Sequence, residues 1–208
     1  MKKFNSPYTA AITGGGFLFE ETNAILPLLQ SPDRAQLLKE ERLNNQVLHI
    51  NAETSRKRAI REIGRRYDAM KPSFWVDYQA MNNKDQIVAL FFVILKTYKI
   101  LFDFHVNVTL RKWNSSDKSV NHDDVDMEMN EIASQDEFVD SWTDDTKGHV
   151  ISAYLTILRK VGMLDAEGKL HPVSCSNFGY YLTHGERWFL ESCLLQPYEI
   201  EEIKKSLA

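Results

Sequence analysis

The sequence predicts a mostly α-helical protein: a helical bundle followed by a winged-helix-like part with a small β element. Three observations predict it. Residues 83–105 carry apolar side chains around most of a helical circumference, as a rod buried among other helices would. Residues 51–70 have two faces, with Ile60, Ile63, Tyr67 and Met70 in one stripe and Lys57, Arg58, Arg61 and Arg65 opposite. Residues 135–175 read as two helices, a tight turn and an extended segment, the order of a winged helix-turn-helix.

Taken in order, residues 1–6 are a short flexible lead. The Gly14-Gly15-Gly16 run lacks the Lys-Ser/Thr of a phosphate loop and is expected as a turn that lets a helix approach its neighbour closely. That helix covers residues 20–29, with Pro27 distorting its last turn. Ser31-Pro32-Asp33 starts the next, to residue 45, with Leu37, Leu38 and Leu43 as core contacts. A break over 49–53 precedes the basic helix, for which Thr54 or Ser55 supplies a cap. Lys71-Pro72-Ser73 ends it, and Ser73 caps a helix over 74–81. Beyond the rod, residues 106–113 fit a strand or a continued helix equally well. Residues 114–121 are a polar linker, dividing a helical bundle (1–113) from an acidic helix and winged-helix-like part (122–208). Residues 117–145 hold eleven acids against Lys118 alone; without a glycine at the required position this is a solvated acidic face rather than a calcium loop. A short helix over 135–141, a helix over 147–161 ended by Gly162, a turn over 165–169 and an extended 170–175 follow. Closing helices span 185–195 and 199–207.

A net charge of -4 on 208 residues excludes a protein that coats nucleic acid indiscriminately. Any polyanion site has to be a local patch, and residues 56–66 supply one: Arg56, Lys57, Arg58, Arg61, Arg65 and Arg66 against the single acid Glu62. Arginines one turn apart suit a phosphate backbone because each planar fork donates two bonds. In the winged-helix reading Thr146, Lys147, His149 and Ser152 face DNA, with Lys169 and His171 on the wing. The longest apolar run, nine residues over 87–95, is too short for the roughly twenty a membrane helix needs. Cys175 and Cys193 lack metal-ligand spacing and, without a secretory signal, are expected as free thiols in the cytoplasm.

Catalytic patterns are sparse. His-Glu-x-x-His, Gly-x-Ser-x-Gly and Cys-x-x-Cys are absent, and the six histidines are scattered. Glu167-Gly168-Lys169 has the Glu-x-Lys order of a metal-dependent nuclease but is ordinary turn chemistry as well. The expectation is a protein that is not an enzyme and takes no cofactor or metal.

Three segments in order carry a resemblance. They are Tyr8-Thr9-Ala10-Ala11-Ile12-Thr13-Gly14-Gly15-Gly16; Thr54, Arg58 and Arg61-Glu62-Ile63 with Arg65/Arg66-Tyr67; and Trp142-Thr143, Thr146 and Leu158 through Val161-Gly162-Met163-Leu164. Together they resemble the BrxA family, small cytoplasmic components of bacterial BREX phage-exclusion systems. The resemblance implies a mostly helical fold like that of NusB and non-catalytic DNA binding. The expected partner is duplex DNA, with other BREX components beside it. The alternatives are a scaffold docking an acidic protein surface through the same arginines, or an RNA-binding protein of NusB type.

Overall fold

A computed structural model describes residues 4–207; the first half of the expected lead, residues 1–3, lies outside them. A 3-10 turn, Ala11–Gly14, precedes α1 (Phe19–Gln30), α2 (Arg34–Asn44), α3 (Glu53–Asp68) and α4 (Pro72–Ala80). The expected rod is two helices, α5 (Asn83–Thr97) and α6 (Lys99–Phe104), parted by one extended residue, Tyr98 (φ -118°, ψ 96°). A π turn, His105–Thr109, and α7 (Leu110–Trp113) prolong it, so residues 106–113 resolve as helix. The remainder is α8 (His122–Gln135), α9 (Glu137–Asp140), α10 (Asp144–Lys160), α11 (Phe178–Thr183), α12 (Arg187–Ser192) and α13 (Pro197–Ser206).

Every residue from 88 to 95 is buried, which is why this run of α5 has no polar face. Around it one core cluster extends from Ile12 to Ile200 and includes Val120 of the expected linker. A smaller cluster of Ile25, Leu29, Leu48 and Ile63 joins α1 to α3. No helix among the described residues is long and apolar enough to cross a membrane.

Several local expectations change. α2 is peripheral: Leu43 is exposed, and Glu41 is the buried residue of the helix. The Glu41 carboxylate accepts the backbone N–H groups of Gln46, Val47 and Leu48 at 2.8–3.1 Å, ordering the connection to α3. α3 starts at Glu53 after Ala52 with no side-chain cap, so neither Thr54 nor Ser55 plays that part. α4 likewise starts at Pro72 with Lys71, not Ser73, in the capping position.

The expected wing does not form. In its place are two isolated antiparallel bridges, Ser119 with Lys169 and Leu164 with Leu170. Gly168 (φ +81°) turns the chain back so that His171 N donates to Met163 O at 2.9 Å, and the linker pairs along the other side of the returning segment. Val120 N donates to Gly168 O at 2.8 Å, and Leu170 N donates to Lys118 O at 2.9 Å. Val173 N is diverted to Cys193 O at 3.0 Å, so the pairing does not extend past His171.

The position of α3 is set by a buried polar chain. Arg66 is fully buried, and its guanidinium donates to Gly16 O, to Phe17 O at 2.7 Å and to the Tyr98 hydroxyl at 3.1 Å. Tyr98 in turn donates to Glu62 Oε2 at 3.1 Å. Burial raises the Tyr98 phenol, so it keeps the proton it donates. The glycine run follows from this contact. Gly16 has φ +64°, and a Cβ on Gly14 would lie 3.2 Å from Glu62 Cγ.

A second chain locks the C-terminal helices. His105 is fully buried, and its Nε2 lies 2.8 Å from Ser192 O, which can only accept. Nε2 therefore carries the proton, and Nδ1 accepts from the Tyr154 hydroxyl at 3.1 Å. That leaves the Tyr154 oxygen to accept from Thr109 Oγ1 at 2.6 Å. Burial pushes the His105 imidazole down to about 4 from 6.5.

Two predictions follow from these chains. Arg66→Leu leaves the Gly16 and Phe17 carbonyls without their donor in the interior and should lower Tm by on the order of 10 °C, with Tyr98→Phe costing less. The unfolded chain takes up a proton on histidine near pH 6.5, whereas folded His105 does so only near 4. Its contribution to stability is therefore whole above pH 6.5 and falls by about 3 kcal/mol toward pH 4. Urea titrations from pH 7 to pH 4 should show this slope, and His105→Leu should be flatter across the same window.

Candidate nucleic-acid interface

The six cations of residues 56–66 are sorted by the faces of α3. Arg56 and Arg66 point inward and are buried, while Lys57, Arg58, Arg61 and Arg65 are exposed. Arg56 donates through Nε to Arg42 O at 2.9 Å, and through Nη1 to Ile50 O at 2.5 Å and Asn51 O at 2.9 Å. All three acceptors belong to α2 or the connection from it, so Arg56 clamps that loop. Its expected place among the phosphate-contacting residues is corrected accordingly.

The exposed four make a coherent face. Lys57, Arg61 and Arg65 succeed one another at four-residue steps, about 6 Å along the axis, and Arg58 lies beside them. Lys57 and Arg58 have no ion-pair partner among the described residues. Arg61 and Arg65 each approach Glu62 through Nε at 3.4 Å, with side chains 63% and 43% exposed. Neither makes a hydrogen bond through its terminal nitrogens to a described residue. Glu62 is itself buried, so the two arginines reach down to it through Nε while their guanidinium ends stay at the surface. The acids at the two ends of the helix are engaged from α2. Arg42 pairs with Glu53 at 3.4 Å, and Arg34 pairs with Asp68 at 2.6 Å. The exposed face is left with net positive charge.

Arg34 is a residue that the periodicity does not reveal. It grips both oxygens of Asp68 and lies 5.1 Å from the centre of the Tyr67 ring, fixing α2 against α3. No helical spacing links positions 34 and 68, so the signal exists only in three dimensions.

The second expected surface is built differently. Thr143 caps α10, its Oγ1 accepting from Thr146 N at 3.2 Å, and the Thr146 hydroxyl lies 2.9 Å from the same oxygen. Asp144 and Asp145 occupy the first turn and are exposed beside Lys147 and His149. A recognition helix entering a groove N-terminus first would carry those two carboxylates toward the phosphates. Lys169 pairs with Asp117 at 4.0 Å, and His171 pairs with Asp165 at 2.8 Å. The His171 hydrogen bond holds the Asp165 carboxyl below its usual range. Glu167 sits in this same turn. Thr146, Lys147, His149 and Lys169 thus do not form a row of free cations, whereas α3 does.

The BrxA family model matches residues 6–177. A crystal structure of an uncharacterized protein from Magnetospirillum magneticum is similar, with a TM-score of 0.73 and 22% identity. The match covers 90% of this chain and 98% of that one. At this identity the likeness concerns the fold. None of the curated proteins matches the chain.

Sorting by face makes a prediction about stability alone. Arg56→Ala should lower Tm by about 5 °C through three orphaned carbonyls, while Lys57→Ala and Arg58→Ala should each shift it by less than about 1 °C. Thermal melts of the three variants check this.

Proposed function

The chain belongs to the BrxA family and is thereby a BREX-associated protein, and from that premise we propose that it binds duplex DNA as a non-catalytic accessory of anti-phage defence. The observation that carries the proposal is the outer face of α3, where Lys57, Arg58, Arg61 and Arg65 lie exposed on a helix whose inner face is locked into the core. A rigid row holds its cations at fixed spacing, so little side-chain order is lost beyond the side chains themselves when phosphates bind. Arginine forks bridge phosphate oxygens in pairs, and the release of condensed counterions supplies most of the affinity. Phosphate contacts position a protein without reading bases, so the binding is largely independent of sequence. The acidic balance of the rest of the chain confines DNA to this face. In this reading the protein works in the cytoplasm, on DNA and beside the larger defence components.

Fluorescence anisotropy of a labelled duplex across a salt series tests the proposal. Four phosphate contacts predict a log–log slope of about -3.6, and Lys57→Glu with Arg58→Glu should reduce it by about 2 and weaken binding more than tenfold. These two positions are chosen because neither has an ion-pair partner to lose among the described residues. No binding at low salt would overturn the proposal and reassign α3 to an acidic protein partner.

A further inference from the structure

A cleft of about 250 Å³ opens where α3 ends, bounded by the start of α4, the middle of α5 and the segment from α11 to α12. Its wall is aromatic. Tyr180 is its half-exposed ring, and the buried rings of Phe74, Phe92 and Tyr181 form the floor beneath it, with ring centroids 6.5 Å apart for Phe74 and Tyr180 and 5.2 Å for Phe92 and Tyr181. These rings are held in place. The Tyr180 hydroxyl donates to Asp77 Oδ2 at 3.0 Å, and its ring lies 4.2 Å from the His184 ring. Two lysines also line the cleft. Lys96 lies 4.9 Å from the centre of the Phe92 ring and pairs with Glu186. Lys71 is exposed, and its side chain has no partner among the described residues.

Two features select the occupant. The first is continuity: the ridge of Lys57, Arg61 and Arg65 advances four residues at a time, and the next step is Ala69, which lines the cleft. A strand whose phosphates follow that ridge is led to the cleft mouth, where Lys71 adds a further cation. The second is size. Pockets for drug-sized ligands run to about 300–1,000 Å³, so this smaller space suits one flat ring system. Aromatic rings beside a cationic track are the arrangement by which proteins stack the bases of unpaired strands, whatever their sequence.

We propose that the cleft takes an unpaired nucleobase, at a strand end or in a single-stranded tail, from nucleic acid held on α3. The base lies against Tyr180 and His184, above the buried rings, and its flanking phosphate meets Lys71. This inference rests on the phosphate-binding reading of α3.

The test compares three ligands by anisotropy: a blunt duplex, the same duplex with a short single-stranded tail, and that duplex with an abasic tail. The base-bearing tail should tighten binding about tenfold over the blunt end, and the abasic tail, which keeps its phosphates, should lose most of that gain. Ser73, exposed on the cleft rim, allows a plug: Ser73→Trp should remove the gain and leave blunt-duplex affinity unchanged. Equal binding of base-bearing and abasic tails by the wild-type protein would overturn the proposal, however Ser73→Trp folds. If none of the three ligands binds at low salt, the phosphate-binding reading falls and this one falls with it.

Discussion

A guanidinium without water must be satisfied by the protein itself, and the burial of Arg66 makes that demand at the centre of the N-terminal half. Its solution shapes three separate pieces of chain. The glycine loop lies close enough for Gly16 and the following Phe17 to offer their carbonyls. The rod breaks at Tyr98, whose hydroxyl is the relay from Arg66 to Glu62. Glu62, held beneath the surface, becomes the anchor toward which Arg61 and Arg65 lean. The outer cation row and the inner polar chain are two sides of one arrangement.

Much of this helix was legible beforehand. A period of 3.6 residues separates Ile60, Ile63 and Tyr67 from Lys57, Arg58, Arg61 and Arg65, and the structure keeps that division. Periodicity could not show what the flanking cations do. Arg56 and Arg66 have the same side chain as Arg58, yet both turn inward, because carbonyls of α2 and the connection from it converge on Arg56 and those of Gly16 and Phe17 on Arg66. Composition counts such residues as surface charge; only tertiary structure reveals their acceptors. The aromatic cleft was equally hidden, since Phe74, Phe92 and Tyr180 are brought together from three regions of sequence.

The C-terminal part shows the opposite balance. Its helices and its turns at Gly162 and Gly168 are local features, and local chemistry places them well. Whether an extended segment becomes a strand depends on its partner, which local pattern does not name. Residues 118–120 took that role at the turn, and the Cys193 carbonyl claimed Val173. The stretch read as a linker is thereby sutured to the turn and buries Val120 in the common core.

The π turn at His105–Thr109 has a consequence for how this chain tolerates change in length. The Leu110 N–H reaches back to His105 O, a ring one residue larger than the α-helical one. Such a turn is a residue absorbed without breaking the rod. Removing it would shorten the rod little but would rotate everything beyond by about 100°. Lys112, which meets Asp124 of α8 at 2.8 Å, and the sutured segment after it owe their bearing to that phase. In this stretch a gap of one residue in a related chain is a rotation rather than a shortening, and it turns a different set of side chains toward α8.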